Sequence, residues 1–103
     1  MGIERVVTFS GAEPPWSAIR GRLAVASITP QMRMIDNMPA FPDDEPEGSW
    51  TELRISLGGG MVTLRREPGR IRIVVWGNAD AALQRDQETI AQACSDAGGG
   101  KVT

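Results

Sequence analysis

The chain has 103 residues, a net charge of −2, 41% hydrophobic and 23% charged residues, one cysteine and no histidine. That length suits one domain with a modest core, and the slight acidity excludes wholesale affinity for nucleic acid or anionic membrane while leaving room for a local basic patch. No run approaches the ~20 apolar residues of a membrane span, and the lone Cys94 excludes an intramolecular disulfide.

In chain order, residues 3–9 (IERVVTF) read as a first strand, with Ile3, Arg5, Val7 and Phe9 on one face. The opening MGIERVVTFSG has neither the basic flank nor the continuous apolar core of a signal peptide, and Val6 breaks the myristoylation pattern. With the unpaired cysteine, this makes a cytoplasmic location the expectation. The period then changes: Trp16, Ile19, Leu23 and Ala26 recur at helical spacing, Pro14-Pro15 fits the first turn of a helix, and Thr29-Pro30 stops it. Gly21 inside this helix costs about 1 kcal/mol relative to Ala, which suggests close packing of helix on sheet.

QMRMID (31–36) reads as a short strand with Met32 and Met34 to one side. The segment 37–49 (NMPAFPDDEPEGS) carries three prolines and four acidic residues and reads as irregular. Loops of this length are usually lids, binding loops or disordered; Met38 and Phe41 are the residues that could pin it down.

The stretch from Trp50 to Trp76 organises the rest. It predicts three antiparallel strands in which Leu53, Ile55 and Leu57, then Val62 and Leu64, then Ile71, Ile73 and Val75 point inward. Pro68-Gly69 as a two-residue turn sets Leu64 opposite Ile73 and Arg65 opposite Arg72, a like-charge pair that needs neutralising. Gly58-Gly59 as a primed turn sets Glu52 opposite Arg65. After the strands, Asn78 or Asp80 caps a second helix with Leu83, Ile90, Cys94 and Ala97 on its inner side, and Gly98 ends it. Cys94 among alanines reads as a small buried hydrophobe.

The chain is therefore expected to be an α+β two-layer sandwich: an antiparallel sheet of about five strands with two helices on one face, in the order β-α-β-β-β-β-α. Residues 1–97 form the domain and 98–103 a disordered tail. This order resembles the β-α-β4-α unit of the TATA-box-binding protein fold, in topology only; the resembled fold uses its sheet for DNA.

Without histidine, the usual general base and the Ser-His and Cys-His pairs are missing, and no catalytic activity or cofactor is expected. One cysteine cannot build a thiolate zinc site. Asp43, Asp44, Glu45 and Glu47 lack the spacing of a calcium loop and read as a solvated Pro-rich segment, so no metal site is assigned.

The informative surface is the outer sheet face, where Trp50, Arg54, Met61, Arg65, Arg72 and Trp76 form the candidate binding surface. Its rows are Ser56–Met61–Trp76, Arg54–Thr63–Val74 and Glu52–Arg65–Arg72. Indoles and Met61 would anchor a partner, while guanidinium groups would contact carboxylates or phosphates. The expected function is non-catalytic binding or self-association, most simply as a homodimer. Alternatives are a nucleic-acid module on the same face, a loop 37–49 folded over that face with Phe41 on Trp76, or a small-ligand pocket walled by Trp16, Met32 and Met34.

Overall fold

The computed structural model describes residues 2–58, 60–76 and 80–102. Along the chain lie β1 (Gly2–Thr8), α1 (Trp16–Val25), β2 (Gln31–Ile35), β3 (Met38–Pro39), β4 (Glu52–Leu57), β5 (Gly60–Glu67), β6 (Arg70–Trp76), α2 (Ala81–Gly98) and β7 (Lys101–Val102). The strands form a seven-stranded sheet in the order β3-β2-β4-β5-β6-β1-β7, every neighbouring pair antiparallel. This is an α+β architecture with an antiparallel sheet.

The hairpins follow the expected register. Glu52 faces Arg65, Arg54 faces Thr63 and Ser56 faces Met61 across β4 and β5. Leu64 faces Ile73 and Arg65 faces Arg72 across β5 and β6. Gly69 has φ 77°, the positive value required of the second central residue in a type II turn, and its carbonyl accepts from Phe9 N at 2.8 Å. Leu57 pairs with Gly60, as a two-residue connection requires; Gly59 itself lies outside the described residues.

Leu53, Ile55, Val62, Leu64, Ile71, Ile73 and Val75 are fully buried and share one cluster with Trp16, Ile19 and Leu23 of α1 and Leu83, Ile90 and Cys94 of α2. The helices pack on each other, and α2 also packs on β1 and β6. Gln87 interrupts the apolar stripe of α2 yet is 1% exposed, because its amide donates to the carbonyls of Ile3 and Ile73 at 2.8 and 2.9 Å. Arg5, on the inner phase of β1, escapes burial by reaching Glu88 of α2 at 3.1 Å.

Several expectations need correction. The sheet has seven strands rather than about five, because β3 and β7 add two residues each. Helix α1 ends at Val25, with Ser27 at φ 62° and Ile28 N donating to Leu23 O at 2.9 Å, a Schellman closure that leaves Ala26 exposed. Residues 98–102 are not a frayed tail: Gly99 adopts φ 66°, Ser95 Oγ donates to Gly100 O at 2.6 Å, and β7 pairs with Val7 and Thr8. Asp80 caps α2 by accepting from Leu83 N at 2.9 Å; Asn78 lies outside the described residues.

Two helical glycines sit in opposite surroundings. A Cβ on Gly21 would meet nothing within 4 Å, so the expected close packing is absent there. A Cβ on Gly98 would lie 2.7 Å from both Phe9 Cε1 and Pro14 Cδ. In urea unfolding, Gly21→Ala should therefore gain about 0.5–1 kcal/mol. Gly98→Ala should lose about 1–3 kcal/mol through overpacking, despite the better helix former.

Candidate functional site

The outer face divides into a charged half and an apolar end. In the charged half, Arg65 and Arg72 stand opposite each other, and neither is left unneutralised. Arg65 Nε donates to Glu52 Oε1 at 3.2 Å. Arg72 reaches Glu67 at 2.9 Å and Glu4 at 3.3 Å, and Glu67 also takes Arg70 at 2.6 Å. The hydrogen bonds from Arg72 and then Arg70 hold the Glu67 carboxyl below its usual range, and the Glu67 contact raises Arg72. In the row between, Arg54–Thr63–Val74, Thr63 and Val74 are only 6% and 5% exposed, although both fall on the outer phase of their strands.

At the other end Met61 and Trp76 are 46% and 56% exposed. Met61 pairs with Ser56 of β4 and Trp76 with Gly2 of β1, both beyond the Thr63–Val74 pair at which the β5–β6 ladder ends. Arg54 has no ion pair among the described residues.

Trp50 does not belong to this surface. It is 1% exposed and part of the core. The chain enters β4 only at Glu52, so the alternation does not extend back to Trp50. Arg66, which falls on the inner phase of β5, lies over its ring at 4.5 Å and donates to Gly48 O at 2.6 Å. The indole Nε1 is buried without a hydrogen-bond partner among the described residues.

Nor does segment 37–49 cover the outer face. Asp36 and Asn37 take φ 49° and 69° in a two-residue turn between β2 and β3, the primed geometry that hairpins favour. The chain then runs back beside β2, with Met32 N donating to Pro42 O at 3.0 Å, and Glu45 pairs with Arg20 of α1. Phe41 is 73% exposed. Asp36 staples this hairpin to β4: one carboxylate oxygen accepts from Thr51 N, Thr51 Oγ1 and Glu52 N at 2.7, 2.9 and 2.9 Å.

The returning segment and α1 enclose a cleft of about 370 Å³. Trp16 and Met32 line it, together with Gly21, Ala24 and Pro42. Met34 does not, because a bulge between Met32 and Met34 pairs Met32 with Ile55 on the inner face and Met34 with Arg54 on the outer.

Cys94 is fully buried, and burial pushes its thiol up to about 12, so it carries no reactive thiolate. Among the described residues no group of three or more His, Cys, Asp or Glu side chains could hold a metal ion, and no helix is long and apolar enough to cross a membrane.

The Asp36 contacts, the backbone bond from Glu52 foremost and that from Thr51 next, hold its carboxyl below the ordinary aspartate value. A carboxyl with a lower pKa folded than unfolded stabilises the fold above the unfolded value, and that stabilisation is lost as pH falls through the folded one. The stability difference between the native chain and Asp36→Asn, followed by denaturant unfolding, should be constant near neutrality. It should shrink progressively below about pH 4.

Comparison of the chain with protein-family models, with curated proteins and with solved structures finds no match.

Proposed function

We propose that this protein is a non-catalytic association domain that pairs with a second copy of itself through the outer sheet face, with Met61 and Trp76 as the apolar anchors. One observation carries the reading: two large apolar side chains, Met61 and Trp76, stand half-exposed on the outer phase of the strands at one end of the face. Large exposed aromatics beside Met and Arg are the composition of association hot spots.

The rest of the face suits an identical partner. Glu4, Glu52 and Glu67 alternate with Arg65, Arg70 and Arg72 on one surface. A surface carrying both signs in this way can complement its own copy across a two-fold axis. The helix residues Trp16, Ile19, Leu83 and Ile90 share one buried cluster with the inward strand residues, which supports a reading with both helices on the opposite face. Arg54, which has no ion pair among the described residues, would be available to a carboxylate of the partner. The same pairing speaks against nucleic acid, because phosphates would have to displace Glu52, Glu67 and Glu4 from the guanidinium groups. A lone buried thiol fits a reducing compartment such as the cytoplasm.

Sedimentation across a wide dilution series should show a monomer–dimer equilibrium. Trp76 emission should shift to the blue, and become harder to quench with acrylamide, as the dimer fills. Trp76→Ala or Met61→Arg should weaken pairing by about tenfold or more. A chain that stays monomeric throughout the series refutes the proposal.

A further inference from the structure

We propose that the cleft between α1 and the turn at residues 41–44 binds a small organic ammonium ion, an apolar body carrying one positive charge. The site lies on the helix side of the sheet and is independent of association through the outer face. At about 370 Å³ it has the size of small-molecule pockets, and its walls are mainly apolar with polar groups at the rim.

Gly21 is the first indication of a ligand. It occupies the interior of α1, where glycine weakens a helix, yet neither of glycine's usual justifications applies. Its φ is not among the positive values, and a Cβ would meet no atom within 4 Å. The space that a side chain would fill is the cleft itself, which Gly21 and Ala24 line from the helix. Small residues at this wall keep the volume open.

Charge selects the ligand class. Arg20 reaches the rim, but its guanidinium is held by Glu45. Asp44 also lines the cleft and accepts from Phe41 N at 2.8 Å. Asp43 has no hydrogen bond or ion pair among the described residues. With the Arg20 guanidinium paired to Glu45, Asp43 and Asp44 leave the rim negative. A carboxylate ligand would face these groups or have to pull Arg20 from Glu45; an ammonium meets Asp43 directly.

The wall is also set in advance. Asp44 N donates to Phe41 O at 3.0 Å while Phe41 N returns the bond to the Asp44 carboxylate, and Met32 N holds Pro42 O at 3.0 Å. A turn fixed at both ends spends little ordering entropy on binding.

Nitrogen–proton correlation spectra of the labelled full chain test this with two probes of one body and opposite charge, phenylbutylamine and phenylbutyrate. The amine should give saturable shifts centred on Ser17, Gly21, Thr29 and Asp43, and the acid should bind roughly tenfold more weakly. Asp43→Asn should narrow that gap. Gly21→Leu, which fills the cleft, should abolish the shifts, and Gly21→Ala should weaken binding in a chain at least as stable as the parent. Absence of saturable shifts at the cleft overturns the proposal. So does equal binding of the two probes, or amine binding undiminished in both Gly21 variants.

Discussion

The phase of burial across β4, β5 and β6 is the constraint on which the molecule is built. Leu53, Leu64 and Ile73 stand in one line, Ile55 stands opposite Val62, and Val75 is buried with them. Because strand side chains alternate, a slip of one residue would turn the whole inward set toward water. Two-residue connections at both hairpins prevent such a slip. They also force Arg65 against Arg72, a repulsive pairing in isolation. Glu52, Glu67 and Glu4 resolve it from three neighbouring positions, so the ion pairs of this face are a consequence of the core's register.

What could be read in the sequence was what local rules determine. Strand period and turn chemistry act over a few residues, which is why β4 to β6, their register and the inward residues were legible. The misplaced residues depend on non-local packing. Met34 left the side of Met32 because a bulge, invisible in a five-residue strand, changed the phase. Trp50 left the surface because it precedes the start of β4 at Glu52, outside the strand's alternation, and is buried in the core. A signal for that existed: Arg66 falls on the inward phase of β5, where an arginine needs an aromatic face or an acid, and it found Trp50. Asp36-Asn37 was a second unused signal, since both residues tolerate positive φ between two apolar-flanked segments. Reading all of 37–49 as irregular concealed that hairpin, and with it the return of the chain toward α1 that forms the cleft.

The two proposed sites use the sheet differently. The outer face is composed of strand residues whose positions the register dictates, so its side chains are preorganised by the core beneath. The cleft is made where the sheet is least regular, between a helix with an unneeded glycine and a segment held by three backbone or side-chain bonds. Gly98 shows the contrast: it is glycine because Phe9 and Pro14 leave no room, whereas Gly21 is glycine where room is left over.

The margins of the sheet have a bearing on how copies of this chain can meet. On one side β2 is screened by Met38–Pro39 and then by Ala40 and Pro42, whose backbones take up the groups of Arg33 and Met32 that a newcomer would use. On the other, β1 is shielded at one end by Lys101–Val102. Both outermost strands are two residues long, and one contains a proline that has no amide hydrogen to offer. Open-ended stacking of ribbon on ribbon, the route to fibrils, is thereby disfavoured along β2 and at the end of β1 that Lys101–Val102 covers.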